Sequence, residues 1–382
     1  MANSLTAAIP QITVRTIEVL RENSVMPRLV NNQYSTEAGR KGQTITIPVS
    51  NTFSTTSVSP GQYPGSFNDS VPTSQSLTLN SWEAATWKMT DSEILSVIEG
   101  FNDRNMDEAI RAVANKVDND LLSLYKKVPN YVGTAGTTPF GSSLAEAQAA
   151  KRVLKSNNAP NTDLFMVVDP FAESNMMGVP VLQRVNESGN STALRQGTLA
   201  GEQVVGFGVY CNQNVDTHNT AATGTYAIDA SGAVGDTSII VDNGAGAVPT
   251  ASLIVGDKFT IAGSTQQYTV ISVTAGTPAN ADTYGIYPAL DQIVADGDLL
   301  TVVSTDYVYN LAFHRDAFVF ASRPMADAHI DDSQVIQTIN DPVSGLTVRF
   351  QAQRYWMETV FSVDILYGYT VLRPDLAVVI MG

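Results

Sequence analysis

Between Gln43 and Val49 the chain alternates, with Ile45, Ile47 and Val49 apolar and Thr44, Thr46 and Pro48 between them. That is the two-residue period of a strand. Leu77 and Leu79 alternate in the same way with Ser76, Thr78 and Asn80. The stretch joining the two runs is rich in Ser, Thr, Gly and Pro, including Pro60, Gly61, Pro64 and Gly65. Residues 43–87 hold no Lys or Arg, and only Asp69 and Glu83 as acids. The pattern predicts an extended two-stranded loop whose arms reach about 50–65 Å at about 3.3 Å per residue. A lone hairpin is marginal in water, so such a loop needs a surface to lie on, and a neighbouring subunit is the natural one. The alternative for this composition is a disordered loop.

Helical spacing flanks this region. Gln11 to Met26 mixes Ile12, Val14, Ile17 and Leu20 with charged residues and follows Pro10, which predicts a short amphipathic helix in an N-terminal arm. Thr90 and Glu93 have the spacing of a capping box, opening a short helix that Gly100 closes. From Asn102 a longer helix begins: Met106, Ile110, Val113, Val117, Leu121, Leu124 and Val128 recur every three or four residues as one apolar stripe. Asp103, Asp107 and Glu108 near its start and Lys126 and Lys127 near its end match the helix dipole. At 1.5 Å per residue this rod spans about 40 Å.

Beyond Pro129 the pattern reads as mixed α+β: a helix over Ser143–Leu154, a strand over Leu164–Val168, a turn at Asp169-Pro170, and a further strand over Gln203–Val209. From about Thr220 to Ser304 the composition shifts. This piece carries eight Asp, no Glu, and Lys258 as its sole base, which is -7 of the total charge. Short β-branched runs at Ser238–Val241, Lys258–Ile261, Tyr268–Ile271 and Leu299–Val303 alternate with glycine turns, the spacing of a small β-barrel or sandwich. After Tyr307 a short apolar segment runs around Phe313 and His314. Leu346–Tyr355, Thr359–Tyr369 and Leu376–Ile380 are further strands.

The net charge of -15, with only 15% charged residues and 43% hydrophobic ones, argues against a nucleic-acid grip, which needs clustered Lys and Arg. A low-charge exterior fits a surface that faces copies of itself. The same composition also occurs in secreted β-rich proteins. Cys211 is the single cysteine, so no internal disulfide forms. No signal-peptide pattern opens the sequence and no run reaches membrane-span length. The chain therefore needs no oxidising compartment. Among motifs, His218, His314 and His329 have no second ligand at a metal-type spacing, which favours solvated or hydrogen-bonded structural histidines. Gly206-Phe207-Gly208 falls short of a dinucleotide fingerprint. Asp291, Asp296 and Asp298 could hold Ca²⁺ at a turn, but the twelve-residue loop with its closing Glu is missing. Neither a catalytic constellation, a cofactor site nor a metal site is expected. Trp82 and Trp87 could anchor on a neighbour or pack within their own subunit.

Taken in order, these parts resemble the tailed-bacteriophage major capsid fold (the Hong Kong ninety-seven fold), and within it the podovirus coat proteins with an inserted β-barrel domain. Residues 42–49 (Gly-Gln-Thr-Ile-Thr-Ile-Pro-Val), 256–263 (Gly-Asp-Lys-Phe-Thr-Ile-Ala-Gly) and 312–318 (Ala-Phe-His-Arg-Asp-Ala-Phe) carry the likeness. The resemblance implies an α+β chain with an N-terminal arm (1–42), an extended loop (43–90), a peripheral domain with the spine helix (91–135), an axial domain (136–219 and 306–345), a β-barrel-like insertion (220–305), and returning strands of the peripheral domain (346–382). It implies a non-enzymatic major capsid protein that assembles in the host cytoplasm as hexamers and pentamers of an icosahedral virion shell. Its partners would be a separate scaffolding protein, a portal protein, and packaged DNA held without sequence specificity, with no membrane contact. Ile45, Ile47, Asp69, Trp82 and Trp87 are the subunit-contact candidates. Some relatives crosslink their loops through a Lys-Asn isopeptide bond, and here no Lys lies between Lys41 and Lys88. An encapsulin-like nanocompartment shell and, further off, a β-rich hydrolase are the competing readings.

Overall fold

The computed structural model describes residues 24–34, 40–49, 55, 57, 60–61, 73–96, 101–184, 197–199, 201–220, 222–244, 249, 251–276, 281–325, 334–341 and 344–382. Of the helix expected over Gln11–Met26, residues 11–23 lie outside these residues, as do Asp69 and His329; at its expected end a short helix, Met26–Leu29, begins instead, with Pro27 in its first turn. Two compact units emerge, one drawn from residues 32–113 and 320–372, the other from 18–31, 114–319 and 373–382.

The first unit is built on an antiparallel sheet. Gln334–Asn340, Thr347–Tyr355, Glu358–Val371 and Ser81–Thr90 pair in that order, and Phe318–Arg323 also bonds to Glu358–Val371. An ion pair links neighbouring strands. Arg349 grips Asp364 with Nε at 3.0 Å and Nη2 at 2.6 Å, the bidentate geometry that makes such pairs strong. The expected capping box is present and reciprocal: Glu93 Oε2 accepts from the Thr90 amide at 2.8 Å, and the Glu93 amide donates to Thr90 Oγ1 at 3.3 Å. It opens the helix Asp91–Ser96. A separate two-stranded ribbon, Thr44–Val49 with Thr73–Thr78, pairs Ile45 with Leu77 and Ile47 with Gln75. The extended loop therefore ends near Asn80, short of the expected residue 90. Ser81–Thr90 finds a ten-residue partner in Glu358–Val371 and is a strand of the sheet.

The second unit holds a mixed sheet in the order Tyr131–Gly133, Ala377–Met381, Tyr307–His314, Leu164–Val168, Phe207–Cys211, Gln203–Val204, with Thr217–His218 also on Tyr307–His314. The helices Ala145–Ser156 and Pro170–Gly178 bury Ala147, Ala150, Leu154, Ala172 and Met176 in its core. Three expectations are corrected. The last strand does not return to the peripheral sheet: all five residues of Ala377–Met381 are buried, and such an unalternating run belongs in a sheet covered on both faces. Residues 320–340, expected in the axial part, belong to the first unit. The single strand over Gln203–Val209 is a hairpin folded at Val205-Gly206, both with positive φ, the backbone of a tight primed turn.

Residues 222–304 form a six-stranded sheet ordered Leu300–Val302, Lys258–Ile261, Tyr268–Thr274, Asp282–Tyr287, Ser238–Asp242, Ala227–Ile228. Its ends meet: Ala227 bridges Leu299, and the Leu300 amide donates to the Tyr226 carbonyl at 2.9 Å. The sheet thus closes into a small barrel around Phe259, Tyr268, Tyr284 and Ile286. The chain enters and leaves it through Thr217–His218 and Tyr307–His314, which pair with each other.

The long helix runs Phe101–Leu122, followed by a tighter 3-10 turn over Ser123–Lys127, so its α-helical part is about 33 Å long. Every residue of the expected stripe is buried. Leu121→Ala is expected to lower unfolding free energy by about 2–5 kcal/mol in urea titration, because the cavity cannot fully collapse. Exposed Asn119→Ala should stay within about 0.5 kcal/mol.

Candidate subunit-contact surface

The ribbon is seated at its base. Ile47, Leu77 and Leu79 are buried, Ile45 is half-buried, and Thr44, Thr46 and Pro48 are exposed. Gly368 makes this seat possible, since a Cβ there would stand 2.5 Å from the Thr78 carbonyl oxygen. Ile47 thus holds the ribbon on its own chain. The two tryptophans divide. Trp87 stacks on Phe361 at 5.4 Å between ring centroids. Trp82 donates its Nε1 hydrogen to Asp364 at 2.9 Å and stays 44% exposed. Both are positioned by the sheet, Trp87 half-buried and Trp82 exposed.

The largest exposed apolar groups were not singled out in the sequence. Tyr355, Trp356 and Met357 form the tip between Thr347–Tyr355 and Glu358–Val371, with Trp356 87% exposed. Arg354–Asp91 at 2.6 Å and Lys88–Glu358 at 3.2 Å flank this tip. An exposed aromatic group ringed by charged pairs has the anatomy of an interface hot spot. In the second unit Phe171 is 76% exposed at the first turn of its helix, where Asp169 caps the Phe171 amide. The alternating pattern of a strand does not distinguish a turn residue that projects from one that folds back, so Trp356 carried no sequence signal.

Polar groups fix the barrel on the end of the long helix. Lys258 is fully buried, and its Nζ donates to the carbonyls of Tyr125 (3.2 Å) and Val128 and to Thr269 Oγ1 (3.0 Å). Burial pushes its pKa down to about 7, while neighbouring Asp257 draws it upward. The bonding decides the charge state. Thr269 spends its own hydrogen on the Lys126 carbonyl, so only an ammonium has a proton for each of the three acceptors. Beside it, Tyr125 Oη lies 2.7 Å from His218 Nδ1, and His218 Nε2 lies 2.8 Å from Asp257 Oδ1. Burial holds the Tyr125 hydroxyl well above its usual pKa, so it donates to Nδ1 and the imidazole donates to Asp257. The chain of groups has the order of a catalytic relay, yet His218 and Asp257 are buried. It is a structural network.

His314 caps a one-turn helix, accepting from the Asp316 amide through Nδ1. The acids of the calcium-type turn are engaged otherwise: Asp298 accepts from the Ala295 amide at 2.7 Å, and Asp291 from Ser264 and Tyr268. Among the described residues no cluster of three metal-ligating side chains occurs. Burial raises the Cys211 thiol to about 12, which leaves it a poor nucleophile at neutral pH.

No protein-family model matches the chain, and no curated protein does. Solved structures do. A structure from Mycobacterium phage Che8 superposes with a TM-score of 0.52 at 12% identity, covering 94% of this chain and 91% of that one. The capsid structure of the cyanophage P-SCSP1u gives 0.50 at 11% identity over 94% and 88%. The chain has the fold of these phage structures, an α+β capsid fold followed through nearly its whole length.

Asp118 supplies a pH test of the helix. It is buried and accepts from the amides of Val25 and Met26 and from Asn212, and burial raises its pKa to about 6. A carboxyl raised in the folded state stabilises fully below its unfolded value of 3.8, and that contribution is lost as pH rises through about 6. At about 1.4 kcal/mol per pH unit, the loss between pH 4 and 7 is about 2 kcal/mol. Urea unfolding at both pH values should show it, and Asp118→Asn should remove that slope.

Proposed function

We propose that this protein is the major capsid protein of a tailed bacteriophage, a subunit that gathers into hexamers and pentamers and closes into an icosahedral head shell. The observation that carries the reading is the likeness of fold to a cyanophage capsid through 94% of the chain. The ribbon supports it independently. Thr44–Val49 and Thr73–Thr78 pair as a two-stranded ribbon, and the sequence joining them is polar with Asp69 as its one charged residue; a ribbon of that kind gains order by lying on another copy. In this reading the long helix is the spine, the second unit's mixed sheet is the axial part, and the barrel of residues 222–304 is an inserted domain. Ile45, Trp82, Trp87 and Asp69 remain contact candidates, now joined by Trp356 and Phe171. A scaffolding protein, a portal protein and packaged DNA are the further partners, and the virion capsid is the location. The role is structural rather than enzymatic.

Each contact in such a shell is modest, and closure of the lattice multiplies them. Purified protein at raised concentration should therefore give closed particles by electron microscopy. Protein that stays monomeric at every concentration would count against the proposal. Replacing residues 50–72 with Asn-Gly, a two-residue hairpin turn, should leave circular dichroism and melting unchanged and abolish particles. Particles of normal size from that variant would remove the ribbon's role. Trp356→Ala should likewise leave the monomer's unfolding midpoint in place while weakening association by about 2 kcal/mol or more per contact, read by sedimentation velocity across a concentration series.

A further inference from the structure

Charge on the second unit is segregated in a way the shell reading alone does not require. Within residues 222–304 the one cation, Lys258, is buried under the barrel, so the barrel offers solvent only acidic and neutral groups. One end of it is also apolar. Ile293 is 75% exposed and Leu299 53%. The two belong to the same end, because Ala262 touches both segments: its amide donates to the Leu299 carbonyl and its carbonyl accepts from Gln292 Nε2, each at 3.0 Å. Exposed Asp291 and Asp296 flank Ile293. An apolar centre with an acidic rim is the form of a docking knob.

The complementary form lies on the helix Ala145–Ser156. Lys151, Arg152 and Lys155 line a groove of about 520 Å³ together with Gln148, Ser156 and Val205. Lys151 is pinned there, with Nζ donating to the Val205 carbonyl at 2.6 Å and standing 6.0 Å from the Phe207 ring centre. The space for it exists because residue 206 is glycine, since a Cβ at Gly206 would fall 2.1 Å from Nζ. Arg152 and Lys155 are exposed, and among the described residues no carboxylate stands within ion-pair distance of either. In a chain of net charge -15 this concentration of positive charge has an evident use in recognising an acidic surface.

We infer that the acidic-rimmed apolar end of the barrel, at Ile293 and Leu299, seats on the basic groove of Lys151, Arg152 and Lys155 in a second copy of this chain. The inference rests on the shell reading and adds to it the identity of one pair of mating surfaces. The contact is heterologous, since it joins two different patches, and such contacts generate rings or lattices rather than isolated dimers. Opposite charge sets its register, and the apolar centre excludes water around the pairs. The contact is also sensitive to salt, because exposed pairs are screened over about 8 Å at physiological ionic strength.

A charge swap tests it in the full chain. Arg152→Glu with Lys155→Glu reverses the groove, and Ala295→Lys with Asp296→Lys reverses the knob. All four positions are exposed, so both variants should fold, as verified by circular dichroism and melting. Each pair alone is expected to lose closed particles at concentrations where the unaltered protein forms them, and the four changes together should restore them. Cys211→Ser with Lys155→Cys and Asp296→Cys should give intersubunit disulfide ladders on non-reducing gels. Either charge-reversed pair assembling like the parent overturns the inference and leaves the shell reading standing. So does a groove-reversed variant whose particles form normally but no longer retain nucleic acid, since the groove then serves a polyanion. An unaltered protein that never assembles removes both.

Discussion

A helix that ends inside a protein leaves carbonyls that its own backbone cannot satisfy, and the arrangement of the second unit follows from how the long helix meets that constraint. The carbonyls of Lys126 and Val128 are taken up by Thr269 and Lys258, Lys258 adds a second bond to the Tyr125 carbonyl that already accepts from the Val128 amide, and Gln267 bonds both the amide and the carbonyl of Tyr131. Lys258 and Thr269 lie on neighbouring strands of the barrel, and Gln267 immediately precedes the second of them. The barrel therefore supplies the helix with its C-terminal cap. The cap is directional and charge-assisted, so it fixes the barrel's orientation as apolar packing alone would not. Tyr125 stacks on Tyr309 at 3.9 Å between centroids and links to His218 and Asp257, which ties the strand Tyr307–His314 into the same joint.

That joint has a cost that explains its form. Burying an ammonium and a carboxylate is unfavourable unless nearly every hydrogen-bonding position is filled. Lys258 fills all three of its donors, and Asp257 accepts from His218 and from the Ile254 amide at 2.8 Å. A half-made version would destabilise more than no network at all. The barrel thus has one seat that satisfies every group, a useful property for a domain joined to its host by two chain crossings.

Elements whose reasons are local were legible in the sequence. The stripe from Met106 to Val128, the Thr90–Glu93 capping box, the alternation at Ile45–Val49 and the strand Leu164–Val168 each rest on neighbours within a few residues, and each stands where the pattern put it. The barrel was legible as a set of β-branched runs, but Ala227–Ile228 and Asp282–Tyr287 were missed because one is two residues long and the other is broken by Gly285. What could not be read was which strand pairs with which. Nothing near Ala377–Met381 records that its partners begin at Tyr131 and Tyr307. The contact surface was the least legible part. Lys258 acts on backbone carbonyls, which have no residue identity, and Trp356 differs from the packed Trp87 only in sitting on a turn.

The same distinction bears on how copies of an acidic chain can associate at all. Uniform charge at -15 per subunit opposes close approach, so attraction has to come from local departures from that average. Exposed apolar groups at Trp356, Phe171 and Ile293 are of that kind, as is the cluster of bases on one helix. Each is small, and a small contact is reversible, so in the proposed shell a misplaced subunit would leave before a lattice trapped it, and closure would multiply contacts that are individually weak. The sharing of roles follows: the joint around Lys258 and Asp257 carries its charges bonded and fixed, while the surface offers a few small apolar and basic groups, each too weak alone to hold a wrong neighbour.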